Sequence, residues 1–247
     1  MAEAYLRRFP IHRRVQRSGL AYRITSLDEL STEYELFVDE SYALAVGDRP
    51  VVTFIDLGSN AGWFALWLAT RAGGIPKLGL LIEAHPRMVA EAAWHLTQNG
   101  LTSYVLVHGA VGLDPRERSA KFHLHPSTSA SSLVAYQPDR QLPVKGKIKS
   151  VMVPAVSAAR EWTKNFGDIT VDLLKIDIEG KELDFLRYED AFMRRRVRTI
   201  VLEWHKWCVS LAQLDAHLES MRFERRWVHD ENEFTGLARY DNLGDIE

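Results

Sequence analysis

Five short runs of apolar, largely β-branched residues recur along the chain, and between them the hydrophobic period lengthens to three or four. The runs are 51–55, 78–82, 104–107, 171–176 and 199–204. Each is short enough for a strand and apolar on both faces, as interior parallel strands are. Between them, Phe64, Trp67 and Leu68, then Met88, Ala92 and Leu96, then Leu183 and Leu186 fall at helical spacing. Strand and helix alternate, which predicts a doubly wound α/β sheet with helices on both faces. Two later runs, 222–228 and 235–240, read as an antiparallel pair that closes an otherwise parallel sheet. Ahead of the first strand, Leu27, Leu30, Tyr34, Phe37 and Val38 predict a helix, broken by Gly47-Asp48-Arg49-Pro50. Residues 1–50 therefore read as a helical N-terminal extension and 51–247 as the main domain. Residues 112–150 interrupt the alternation: Lys121 to His125 and Lys145 to Lys149 alternate like half-exposed strands, with a hydroxyl-rich loop between them.

Polar residues collect where these strands end. The first strand runs into Asp56-Leu-Gly58-Ser-Asn60-Ala-Gly62, a glycine turn that opens a helix. Such a turn lets backbone approach a ligand closely. A dinucleotide site wants G-x-G-x-x-G and an exposed helix N-terminus for pyrophosphate. Here the spacing is G-x-x-x-G, with an acid two residues ahead. That acid repels phosphate and suits a ligand carrying an amino group and a sulfonium, as S-adenosylmethionine does. The alternative is a structural turn in which Asp56 only caps backbone. Glu83 ends the second strand, about 20 residues on, where a carboxylate takes ribose hydroxyls. His108-Gly-Ala110-Val111 offers small residues against which an adenine can lie. Lys175, Asp177 and Glu179 share one face of the fourth strand, and Glu203 and His205 one face at the end of the fifth. A helix ending near residue 45 brings Glu40 and Tyr42 toward the same edge.

These segments resemble the FkbM family of S-adenosylmethionine-dependent methyltransferases. The resemblance is carried by Ile55-Asp-Leu-Gly-Ser-Asn-Ala-Gly62, Leu81-Ile-Glu-Ala-His-Pro86, Leu174-Lys-Ile-Asp-Ile-Glu-Gly-Lys-Glu-Leu183 and Val201-Leu-Glu-Trp-His205. It runs from about Leu36 to His205, with Ser59 where the family more often has alanine. It implies a Rossmann-like class I methyltransferase sheet, S-adenosylmethionine as cofactor, and O-methylation of a sugar or other small natural product. On this reading Asp56, Gly58, Asn60, Gly62, Glu83, Ala110 and Asp177 bind cofactor. His205, oriented by Glu203 or Asp177, takes the hydroxyl proton; the alternative is that His205 only fastens the strand end. No metal is expected, the second reading being a divalent ion gathered by Asp177, Glu179 and Glu203. His123 and His125 share a face but lack a third ligand.

Composition narrows the partners. The chain has 247 residues, 46% of them apolar, and a net charge of −2, so no global field draws it to nucleic acid. Arg7, Arg8, Arg13, Arg14, Arg17 and Arg23 form either a basic arm for RNA or an anionic acceptor, or a solvated terminus. A single cysteine, Cys208, excludes an internal disulfide. No apolar run reaches the ~18 residues of a membrane span. The basic first residues lack the apolar segment of a secretory signal, so a cytoplasmic location is expected. Two other classes stay open: an NAD(P)-dependent oxidoreductase on the same sheet, and a non-catalytic RNA- or partner-binding relative.

Overall fold

The computed structural model describes the chain except residues 1, 17, 72, 136–146, 231, 245 and 247. A short helix, α1 (Ala2–Arg8), and a hairpin of β1 (Ile11–Arg14) and β2 (Ala21–Ile24) precede α2 (Leu27–Phe37) and α3 (Ala43–Val46). The main sheet is built from β3 (Thr53–Leu57), β4 (Leu78–Glu83), β5 (Tyr104–His108), β8 (Val171–Ile176), β9 (Val197–His205), β10 (Phe223–His229) and β11 (Thr235–Asn242). Between β5 and β8 lie β6 (Ser119–Leu124), β7 (Lys149–Pro154) and α6 (Ala158–Phe166). The remaining helices are α4 (Trp63–Ala69), α5 (Pro86–Gln98), α7 (Glu182–Tyr188), α8 (Asp190–Arg196) and α9 (Leu211–Ser220).

The strand order is β10-β11-β9-β8-β3-β4-β5, in which β5, β4, β3, β8 and β9 are parallel. β11 runs antiparallel to both β9 and β10. The order reverses between β3 and β8, and at such a switch the connecting loops diverge and leave a crevice beyond the strand ends. Alternation along each strand feeds two cores. Ile55, Leu57, Leu80 and Ile82 pack with Trp162, Leu174 and Leu186 on one side of the sheet. Phe54, Leu81, Leu173 and Val201 pack with Trp63, Phe64 and Trp67 on the other.

Local signals were obeyed where they were strong. Ser26 caps α2, its Oγ accepting from Glu29 N at 3.2 Å. His85 caps α5, with Pro86 in the first helical position. Ser210 and Gln213 form a reciprocal capping box on α9. Ahead of the expected helix, the N-terminal extension also carries the paired strands β1 and β2. The helix expected to run toward residue 45 also breaks at Glu40, whose φ of 49° is left-handed, and resumes as α3. The insertion pairs β6 with β7, which begins at Lys149, where the expected second strand ended; Lys145, Gly146 and the basic Arg17 lie outside the described residues. Among the described residues, no helix is long and apolar enough to cross a membrane.

Candidate active site

The crevice at the switch opens into a cavity of about 340 Å³ beyond the carboxyl ends of β3, β4, β8 and β9. Gly58, Asn60, Glu83 and Ala110 line the half under β3, β4 and β5. Asp177, Glu203, His205 and Tyr42 line the half under β8 and β9. The sequence motifs thus converge on one cleft, since parallel strands send all their carboxyl ends to the same edge.

The first turn is shaped by close approach. Gly58 has a φ of 69°, and a Cβ built there would come within 1.8 Å of the Asp177 carbonyl oxygen. Only glycine lets β3 and β8 approach so closely beside the cavity. Asn60 is also left-handed, at φ 50°, and its side-chain oxygen accepts from Ala61 N at 2.7 Å. Glu83 stitches the turn to the next strand: one carboxylate oxygen accepts from Asn60 N at 2.7 Å, the other from His85 N at 2.6 Å. Burial raises the Glu83 carboxyl to about 7, despite these two donors.

Two expected cofactor residues do not line the cavity. Gly62 sits at the start of α4 with a φ of 79°, packed against Leu81 and Ala92. Asp56 is fully buried beneath the turn, 3.3 Å from the Lys175 ammonium. Its expected direct contact with a cationic ligand is replaced by an internal ion pair. The reason is register: Asp56 and Lys175 are direct cross-strand neighbours in the β3–β8 ladder. Glu40, expected near the cofactor, is exposed and lines no part of the cavity; Tyr42 does.

Lys175, placed by the sequence on one strand face with Asp177 and Glu179 but given no role there, lies at the centre of the site. It is 5% exposed, and its Nζ also donates to Gly58 O and Asp177 Oδ2, each at 3.2 Å. Burial opposes its charge, yet Asp177, Asp56 and Glu203 together hold its pKa above the ordinary lysine value. Burial raises Asp56 in turn, with Lys175 pulling it back. A lysine inside a largely apolar strand needs a buried anion beside it, but the sequence does not say that Asp56 is the one.

His205 also has partners other than those expected. Its Nδ1 lies 2.9 Å from Glu182 Oε1 and its Nε2 3.2 Å from Glu179 Oε2. Glu182 is fully buried, and its Oε1 also accepts from Gly180 N at 2.9 Å. Burial works against the imidazolium, but the two carboxylates outweigh it and raise His205 well above the usual histidine value. Both ring nitrogens therefore point at carboxylates, which favour the protonated ring and tie it to the exit turn of β8. Glu179 carries a left-handed φ of 54° in that turn, a conformation that persists only when its surroundings fix it.

Glu203 instead accepts a hydrogen bond from the Tyr42 hydroxyl at 3.0 Å. Tyr42 is raised well above an ordinary tyrosine by burial and then by Glu203, Asp177 and Glu35. Asp177, Glu203 and His205 offer ligand atoms that all lie within 4.8 Å of one another. That spacing would admit a cation, and both imidazole nitrogens of His205 face carboxylates in this arrangement.

Comparison with known proteins extends these observations. Residues 56–225 match a family model described as the methyltransferase FkbM domain. The chain is 28% identical over 218 aligned positions to the AMB antimetabolite synthetase AmbE of Pseudomonas aeruginosa, covering 74% of this chain and 10% of that protein. It thus spans about a tenth of the length of the curated relative it matches. Among solved structures, methyltransferase FkbM from Methylobacillus flagellatus is similar with a TM-score of 0.54 and 12% identity, over 85% of this chain and 47% of that one. A human methyltransferase 10 domain containing protein is similar with a TM-score of 0.50 and 16% identity, over 98% and 93% of the two chains.

Proposed function

Because the chain belongs to the FkbM family of S-adenosylmethionine-dependent methyltransferases, we propose that it methylates a hydroxyl of a small-molecule acceptor, a sugar or other natural product. The observation that carries this reading is the single cavity that joins a nucleoside-type half to a carboxylate-lined half across the β3/β8 switch. The similarity to part of an antimetabolite synthetase supports a natural-product acceptor.

The residues fit the cofactor. Glu83 would take ribose hydroxyls, Asn60 and Gly58 would border the methionyl portion, and Ala110 would lie against the adenine. The bound cofactor supplies a methyl group already activated by its sulfonium. What the protein must add is alignment, which can contribute ~7–11 kcal/mol, and a place for the hydroxyl proton, worth roughly 10²–10⁴ in rate.

We assign the proton to Asp177. It ends the central strand, at the junction of the two halves, and Lys175 fixes its carboxylate from behind at 3.2 Å. Glu203 and Tyr42 then orient the acceptor. His205 is a positioning residue in this scheme: engaged on both nitrogens, it holds Glu179 and the exit turn rather than accepting a proton.

The test is calorimetry with S-adenosylhomocysteine and NAD, followed by label transfer from S-adenosylmethionine. Binding of the first and not of NAD is expected. Asp177→Asn should then lower turnover by about 10²–10⁴, with S-adenosylhomocysteine affinity changed by less than about threefold. Turnover that survives Asp177→Asn would place the base elsewhere.

A further inference from the structure

We propose that the hydroxyls of Ser59 and Thr128 bind the amino-acid end of the cofactor, so that the insertion, through Thr128, completes the cofactor site. The inference rests on the methyltransferase reading above and names what holds one end of its cofactor.

The backbone of the glycine turn is already engaged. Gly58 N and Ser59 N donate to Ile82 O at 3.0 and 3.2 Å, and Gly62 N donates to Ser59 O at 2.7 Å. Asn60 N donates to Glu83 and Ala61 N to the Asn60 side chain, each at 2.7 Å. In a turn that grips phosphate, such N–H groups are the grip. Here each has a partner inside the protein, so a polar ligand group beside the turn must be met by side chains.

Side chains suited to that task lack partners. Among the described residues, the buried side-chain atoms without a hydrogen-bond partner include Ser59 Oγ, Trp63 Nε1 and Thr128 Oγ1. All three residues line the cavity, and they are 2%, 1% and 8% exposed. The other residues with such atoms, Asp56, Arg87, Glu182 and His217, lie outside its lining. A buried polar group left unsatisfied costs stability, and a ligand that meets these three would remove that cost. Serine and threonine hydroxyls swing about one bond, so a ligand in the cavity can engage them without backbone movement.

The two hydroxyls reach the same end of the cavity from different segments. Ser59 sits between Gly58 and Asn60, beside the methionyl portion, and Trp63 opens α4, on which α2 packs. Thr128 is brought over α2 by the insertion: its N–H donates to Asp28 Oδ2 at 3.0 Å, one turn before the cavity-lining Thr32. Ser132 Oγ donates to Glu179 O and ties the same insertion to the exit turn of β8. Neither anchor uses the Thr128 hydroxyl. A hydroxyl both donates and accepts. An amino-acid end carries a carboxylate that accepts and an ammonium that donates, and a pair of hydroxyls serves both. The Trp63 N–H only donates, which suits the carboxylate.

The experiment uses the full chain and two ligands in calorimetry: S-adenosylhomocysteine, and 5′-methylthioadenosine, the same thioether nucleoside without the amino-acid end, read by displacement of the first. Thr128→Val and Ser59→Ala should each weaken S-adenosylhomocysteine by about 10-fold, as loss of a hydrogen bond to a charged group does, and leave 5′-methylthioadenosine unchanged. Because each substitution removes an unpartnered hydroxyl, the melting temperature of the ligand-free protein should hold or rise. Equal losses for both ligands, or unchanged S-adenosylhomocysteine affinity, overturn the inference and leave cofactor binding intact. A melting temperature that falls along with the affinity marks the hydroxyls as structural and overturns it too. Failure of the unaltered protein to bind S-adenosylhomocysteine overturns the methyltransferase reading and this inference with it.

Discussion

Protonation of Glu83 should control cofactor affinity near neutral pH. This carboxyl is 7% exposed and burial raises it to about 7, although Asn60 N and His85 N both donate to it. Ribose hydroxyls are donors, so the ionised form is the better partner. If only that form binds, the apparent dissociation constant of S-adenosylhomocysteine scales as one plus the ratio of protonated to ionised Glu83. Between about pH 8 and about pH 6 this is a ~10-fold loss of affinity. Stability of the free protein has the opposite slope. A folded pKa above the unfolded value of 4.5 stabilises fully below that value. The contribution is lost as pH rises through about 7, to a total of roughly 3 kcal/mol. Glu83→Gln should abolish the pH dependence of binding. It should also weaken affinity at about pH 8 by roughly 10–100-fold, because an amide offers one acceptor where two backbone donors converge. Calorimetric titration from about pH 5.5 to 8.5 measures both effects. Affinity that is flat across this range in the native protein, or unchanged in Glu83→Gln, would refute the assignment of this carboxylate to the ribose.

Lys175→Met should destabilise the fold by about 3–5 kcal/mol in urea denaturation, because it leaves Asp56 buried without its cation; a loss below about 1 kcal/mol would show that Asp56 folds in neutral. Gly58→Ala should abolish S-adenosylhomocysteine binding and lower the melting temperature, since its Cβ would meet the Asp177 carbonyl at 1.8 Å; calorimetry and a thermal melt check both, and retained binding would mean the β3–β8 contact relaxes freely. The His205 ring should stay protonated through about pH 8 in nitrogen-detected NMR, because Glu179 and Glu182 raise it well above the ordinary value. A midpoint near the ordinary ~6.5 would return it to the role of base.

Much of the fold was legible from local pattern. Strands such as 51–55 and 171–176 are apolar on both faces, and the capped helices carry their own start signals, so neighbours were not needed to read them. Glu83, Asp177 and Glu203 followed from the same pattern, because a polar residue ending an apolar parallel strand is delivered to the carboxyl edge. The hairpin of β1 and β2 was hidden for the converse reason. All four β1 residues, Ile11–Arg14, are exposed, and a strand with no buried face writes no alternation into the sequence.

The sequence by itself determined which chemical groups reach the cleft, since strand direction and side-chain period are local properties of the chain. Which group answers which was decided only when β8 lay down beside β3 and α7 packed under β9. Strand register put Lys175 against Asp56, taking that acid out of the ligand's reach. Helix packing put Glu182 against His205, giving the expected base a buried carboxylate partner. Such pairings depend on a few ångströms between segments far apart in sequence, and charge at that range is set by burial and neighbours rather than by residue type.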